Sequence, residues 1–320
     1  MSTTVGIPRA LLYYHYYPAW EAFFQTLGAD IVLSDETTKL ILDRGIRDAV
    51  DEACLPVKLY LGHVANLRDK GVDCIFTPRV VSVEPKKYLC PKFLGLPEIV
   101  RFCVANVPEL LTIEINVEQK YKQSVKELLK LASRFDRRPG KAEAALVAAE
   151  SAQAKYESKL QEGFTPAEAL AGQEKKHASS KMRVAVLGHA YNLNDPFISV
   201  NLFGKLRELG AEVVTSEMLQ PQEIAAGTQS LEKDMFWTFG HQLMGAGNFL
   251  LEEGSIEGMV LVASFGCGPD SLVCELVERT YKRHHTVPVL LITLDEHTGE
   301  AGLITRLEAF VDMLQWRKAI

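Results

Sequence analysis

At 320 residues, 47% of them hydrophobic, and with a formal net charge of −6, the chain has the make-up of a globular protein with room for two ordinary domains. A small scaffold stapled by disulfides is excluded. No lysine- and arginine-rich run with interleaved aromatics occurs, so no nucleic-acid partner is expected.

The opening residues, MSTTVGIPRALLYYHYY, lack the basic start, long apolar centre and small-residue cleavage site of an export signal. No later apolar run reaches membrane-spanning length, so a cytoplasmic protein without a membrane partner is expected. From Val5 a short apolar strand, VGIPRALL, leads to a helix, PAWEAFFQTLG, closed by glycine, and to a second strand, ADIVLS. Helical stretches TTKLILDRGIRDAV and PVKLYLGHVANLRDKG precede a third strand, VDCIFTPRVV, and a further helix, LPEIVRFCVANV. Residues 1–116 thus read as a doubly wound α/β domain. Between 117 and 181 the composition shifts to Lys, Glu, Ala and Gln without a strand-like run, which predicts a solvated connector of two or three helices.

At Met182 the pattern starts again, and residues 182–320 read as a second α/β domain. Strand MRVAVLGHAYN, helix VNLFGKLRELG, strand AEVVTS, a helical stretch around FWTFGHQLMGAGNFLLEEG and strand GMVLVASF are followed by helix SLVCELVERTYKRHH, strand VPVLLITLD and helix LITRLEAFVDML. The fold class expected is α/β, with two parallel-sheet domains joined by a helical segment. The fragment MGAGNF has two of the three glycines of a dinucleotide fingerprint and lies within a helical run, so NAD is not expected.

The six cysteines separate by their surroundings. Cys74 lies inside a strand run, and Cys103 and Cys274 lie on helices among apolar neighbours at helical spacing, the pattern of small buried side chains. Cys54 in EACLPVK, Cys90 in YLCPKFLGLPE and Cys267 in FGCGPDS each sit in a loop, with proline within two residues and a predicted helix after it. A helix start offers unpaired N–H groups and positive partial charge, which stabilise a thiolate and any anionic cluster it holds. Cys267 also falls beyond the carboxyl end of a strand, where open α/β sheets place their chemistry. None of the three belongs to a CxxC pair, so spacing alone leaves metal binding open.

The stretches GIPRALLYYHYYPAWEAFFQTLGADIVLS, DEACLPVKLYLGHVANL, FTPRVVSVEPKKYLCPKFLGLPEIV, FGCGPDS and TRLEAF carry a family likeness. They resemble the activase-related family of the 2-hydroxyacyl-CoA dehydratase and benzoyl-CoA reductase superfamily. The resemblance implies two flavodoxin-like domains and a [4Fe–4S] cluster held in the cleft between them by Cys54, Cys90 and Cys267. It also implies a separate ATP-dependent activator with its own cluster, which passes an electron to such a component. Related double-cubane proteins join two cubanes, and three ligand-like cysteines hold one, so a double cubane needs a second chain, as in a homodimer, or a second cluster-holding subunit. The chain has no GxxxxGK[ST] run and nothing like the activator domains fused to this module in longer proteins.

Together these readings predict an oxygen-sensitive iron–sulfur oxidoreductase component, of reductase or acyl-CoA dehydratase type, driven by that separate activator. Proton donors or cluster contacts are sought near the cysteines, at Glu52, Lys58, Lys87, Tyr88 and Lys92. In the second domain they are sought at His189, Tyr191, Asn192 and Asp195, and at His297, Thr298 and Glu300. Asp195 before Pro196 equally fits a helix cap. The aromatic cluster YYHYYPAW either lines a pocket or packs against neighbouring elements, and packing is favoured. Two rivals remain: a non-catalytic electron carrier or cluster-holding subunit, and a zinc site built from the same cysteines with His63, His189 or His297.

Overall fold

In the computed structural model the described residues are 2–173, 182–229, 231–284 and 287–319. The chain divides into two compact units, Met1–Ser158 with Phe236–Thr238, and Lys159–Met235 with Phe239–Ile320. Among the described residues no helix is long and apolar enough to cross a membrane.

The first unit opens with β1 (Thr4–Ile7), α1 (Tyr13–Thr26) and β2 (Asp30–Leu33), then α2 (Lys39–Asp48), α3 (Leu55–Asp69) and β3 (Cys74–Phe76). It continues through β4 (Arg79–Ser82), α4 (Pro91–Leu94), α5 (Leu96–Cys103), β5 (Glu109–Leu111), β6 (Glu114–Asn116), α6 (Val117–Phe135) and α7 (Lys141–Gln161). Its main sheet is parallel, in the order β2-β1-β3-β5, and β4 and β6 form a separate parallel pair. The run VDCIFTPRVV, expected as one strand, is therefore two strands in different sheets. Pro78 stands between them, and a residue without an N–H cannot continue a ladder.

Helix α1 also starts five residues before the predicted entry at Pro18, which lies inside it. Proline withholds the hydrogen bond that residue 18 would donate to the Tyr14 carbonyl one turn earlier. Helix α7 supplies the substitute: the Tyr156 hydroxyl donates to the Tyr14 carbonyl oxygen at 2.5 Å, and the Gln153 amide donates to the His15 carbonyl oxygen at 2.9 Å. Tyr156 is buried, and Phe24 packs edge-on against Phe135 of α6 at 5.5 Å. The segment read as a solvated connector is thus packed, over 117–158, into the first unit. Replacing Tyr156→Phe is expected to cost about 1–3 kcal/mol, the penalty for removing the donor to a buried carbonyl. In a Pro18→Ala background, which restores the helical N–H, the same change should cost markedly less. Urea unfolding of the four proteins of this cycle measures it, and equal costs in both backgrounds would show that Tyr156 does not compensate the proline.

The second unit contains α8 (Pro166–Leu170), β7 (Met182–Leu187), α9 (Ala190–Leu193), α10 (Leu202–Glu208), β8 (Ala211–Val214), α11 (Pro221–Thr228) and α12 (Thr238–Glu253). After them come β9 (Gly258–Ser264), α13 (Gly268–His284), β10 (Val289–Leu294) and α14 (Glu300–Ala319). The parallel sheet runs β10-β9-β7-β8. Every residue of β9 is buried, as expected of a central parallel strand covered on both faces. MGAGNF lies within α12, away from any strand end.

The two four-stranded sheets repeat one order: counted in chain order within each sheet, both run second, first, third, fourth. Each unit also brings two helices between its second and third strands into backbone contact through glycine. A Cβ on Gly45 of α2 would stand 1.9 Å from the Lys58 carbonyl oxygen of α3, and one on Gly227 of α11 would stand 2.0 Å from the Gly245 carbonyl oxygen of α12.

Candidate functional site

The sheet of the second unit reverses its winding at β7 and β9, because β8 lies outside β7 and β10 outside β9. Such a switch point leaves a crevice at the carboxyl ends of the two central strands. His189 follows β7 directly as the residue capping α9, and Cys267 follows β9 as the residue before α13. Gly266, just before the cysteine, has φ +75°, a left-handed turn that glycine adopts without a Cβ penalty. Asp270 sits in the first turn of α13, where a carboxylate is favoured by the helix dipole.

These residues converge. Among the described residues, ligand atoms of His189, Cys267 and Asp270 all lie within 4.8 Å of one another, and all three residues are buried. His189 Nε2 stands 2.9 Å from Asp270 Oδ1. The contact is not an aligned hydrogen bond, since Oδ1 has no hydrogen-bond donor among the described residues. Asp270 Oδ2 is held from two sides: the Ser264 backbone N–H donates to it at 2.9 Å, and the Asn192 side-chain amide donates at 3.4 Å. The Asn192 Oδ1, Ser264 Oγ and Glu217 Oε2 atoms are likewise buried with no hydrogen-bond partner among the described residues. Burial pushes the Glu217 carboxyl above the usual carboxylate range. Tyr191 and Phe239 wall the imidazole, with ring centroids 5.0 Å and 5.6 Å from it. A nitrogen, a sulfur and an oxygen donor so placed could bind a metal ion.

Cys54 and Cys90 stand directly before α3 and α4, with proline in the first turn of each helix. Neither falls in a metal-ligand group among the described residues. Cys274 behaves differently: it lies on α13 in the core with Val273, Val277 and Met244, and burial pushes its thiol up to about 12. Cys74 is buried in β3, where burial pushes its thiol up to about 11. Cys103, expected as buried, is half-buried at the end of α5.

The other polar candidates scatter. Glu52 is exposed in the turn before α3, Lys58 is buried on α3, and Lys87 is half-buried. Lys92 is exposed on α4. Tyr88 stacks on Phe236 at 5.0 Å and pairs with the 236–238 segment. His297 is exposed beyond the edge strand β10, where Thr298 donates to Asp295, and Glu300 pairs with Lys205 at 2.9 Å. Asp195 caps a turn, accepting from the Phe197 backbone N–H at 2.9 Å. His63 is not placed as a zinc ligand, because both ring nitrogens are used, on Ser34 Oγ at 2.9 Å and Thr37 Oγ1 at 3.0 Å. The aromatic cluster packs, as favoured: Tyr13 meets Tyr14 edge-on at 5.1 Å, and Trp20 meets Phe76 at 5.3 Å. Of the cluster, Ala19 and Trp20 also line an apolar cavity of about 390 Å³ in the first unit. Sequence reasoning named His189 and Cys267 and missed Asp270, although its place three residues after the cysteine puts it on the same helical face.

Residues 4–219 match the family described as the CoA enzyme activase uncharacterised domain. The chain belongs to this family. The activase domain corrects two expectations: the chain was expected to be the cluster-holding reductase or dehydratase component, and to depend on a separate ATP-dependent activator. A chain that itself carries the activase domain stands with the activators of the 2-hydroxyacyl-CoA dehydratase system. No curated protein matches it. Solved structures similar to this activase-family chain include a protein assigned as a phosphosugar isomerase from Silicibacter pomeroyi, 12% identical over 100% of this chain and 88% of that one, at a TM-score of 0.24. Another is the C-terminal domain of glucosamine-fructose-6-phosphate aminotransferase from Francisella tularensis, 10% identical over 98% and 84%, at 0.22. Likenesses this distant bear on neither activity nor fold.

Proposed function

We propose that the chain serves the activator side of a CoA-enzyme system, preparing a separate enzyme for turnover, with its working site at the carboxyl ends of β7 and β9. The observation that carries this reading is the activase domain over residues 4–219. The strand order common to both units supports reading each as flavodoxin-like, a fold that seats its ligand at the switch point. Placement within the wider superfamily of 2-hydroxyacyl-CoA dehydratases and benzoyl-CoA reductases draws on the motifs around Cys54, Cys90 and Cys267. The buried acceptors beside His189 that lack hydrogen-bond partners support placing the site there, since a ligand that donates hydrogen bonds or carries positive charge would satisfy them.

The test is reconstitution without oxygen. The purified chain, ATP and a reductant are added to a 2-hydroxyacyl-CoA dehydratase lacking its activator, and product is followed against chain concentration. An activator is expected to raise the rate at amounts well below one per dehydratase. A chain that contributes only when present one-to-one as a subunit, or that itself converts the acyl-CoA once a different activator is supplied, overturns the proposal.

A further inference from the structure

We infer that His189 Nε2, Cys267 Sγ and Asp270 Oδ1 hold a single first-row divalent metal ion at the β7–β9 switch point. The inference does not rest on the activator reading, since it follows from the second unit alone.

The buried polar atoms without hydrogen-bond partners here, Asp270 Oδ1, Asn192 Oδ1, Ser264 Oγ and Glu217 Oε2, are all oxygens with lone pairs to give. A buried acceptor left without a donor is costly to the folded state. A cation held at Asp270 Oδ1 answers that acceptor directly, whereas an added apolar group answers none of the four.

A metal about 2.0 Å from nitrogen and oxygen and about 2.3 Å from sulfur holds its ligand atoms roughly 3.2–3.6 Å apart in a tetrahedral site. Nε2 and Oδ1, at 2.9 Å, already face each other closer than that without an aligned hydrogen bond, and the sulfur completes the group within 4.8 Å. A group spread over no more than 4.8 Å closes to this geometry through side-chain motion of about 1 Å or less. Asp270 is also oriented as metal-binding carboxylates are: Oδ2 is fixed by Ser264 and Asn192, which leaves Oδ1 turned inward.

The donor set selects the ion. Magnesium and calcium take oxygen ligands, while one imidazole, one thiolate and one carboxylate suit zinc, iron(II) or cobalt(II). Three protein ligands leave a coordination position for water or substrate. All three proposed ligands belong to the second unit, which distinguishes this centre from a cubane held by Cys54, Cys90 and Cys267.

Cobalt(II) is the probe. Metal-free full-length protein, prepared without oxygen, is titrated and its near-ultraviolet and visible absorption recorded. We expect one cobalt per chain, with a thiolate charge-transfer band. Cys267→Ser should remove that band, and His189→Gln should weaken binding by about 100-fold, at or beyond the loss seen for an outer-sphere partner. Cys274→Ser, Cys54→Ser and Cys90→Ser should keep both band and stoichiometry. Should Cys267→Ser not fold, Asp270→Asn, which keeps an acceptor for the Ser264 N–H, must show the same weakening. Absence of binding overturns the inference. So does a charge-transfer band that survives Cys267→Ser, or about four irons with acid-labile sulfide that depend on Cys54 and Cys90.

Discussion

Replacing Gly45→Ala should destabilise the first unit by about 3 kcal/mol or more, at or beyond the usual range for overpacking. On a helix in open space the same change is expected to stabilise, by up to about 1 kcal/mol, since alanine is the better helix former. The sign reverses here because the new Cβ would meet backbone: it would lie 1.9 Å from the Lys58 carbonyl oxygen and 3.1 Å from the Gly62 nitrogen. No rotamer relieves such a contact, so α2 and α3 must part. A Cβ on Gly62 would make the reciprocal approach, 2.0 Å from the Ile41 carbonyl oxygen. Gly302 of α14, with nothing within 4 Å of an added Cβ, is the control. Chemical unfolding should show Gly45→Ala markedly weaker and Gly302→Ala equal or stronger. A neutral Gly45→Ala would mean that the two helices are not held backbone to backbone.

The second large effect is acid sensitivity centred on His63. Burial, reinforced by the Arg9 charge and partly offset by Asp35, pushes its pKa down to about 3. In an unfolded chain a histidine titrates near 6.5. Between these values the folded protein keeps a neutral ring while the unfolded chain takes up a proton, so the unfolded state binds more protons and stability falls with falling pH. The contribution is complete above about pH 6.5 and is lost toward pH 3, at up to roughly 1.4 kcal/mol per pH unit. His63→Gln removes the titration and should flatten this part of the profile. The stability difference between the two proteins, measured at pH 7.5 and at pH 5, should shift by about 2 kcal/mol in favour of the variant at the lower pH. A difference that does not move with pH would assign the acid sensitivity elsewhere.

Much of this molecule was legible in its residues, and the parts that were not have physical causes. The parallel strands of both units and most helices follow from apolar runs closed by glycine or proline. Three-residue strands such as β5 and β6 are too short to show a period, and both were missed. The early start of α1 was hidden because Pro18 normally opens a helix, and only a tertiary partner, Tyr156, makes an interior proline tolerable. The ranking of cysteines separated Cys267 from Cys274 through local surroundings alone, and burial explains the inertness of the second. Asp270 escaped notice because an acidic residue in a first helical turn is ordinary. Its importance comes from meeting His189, 81 positions earlier in the sequence, at a strand end.

The segment Phe236–Thr238 belongs to the first unit although it follows Met235 of the second. The Tyr88 N–H donates to the Phe236 carbonyl at 3.0 Å and the Thr238 N–H returns the bond to the Tyr88 carbonyl at 3.0 Å. A ribosome therefore releases most of one lobe long before the residues that seal its margin have been made. Severing the gene after codon 158 would leave the Tyr88 backbone N–H and carbonyl without these two partners, so a first half made alone lacks part of its own unit.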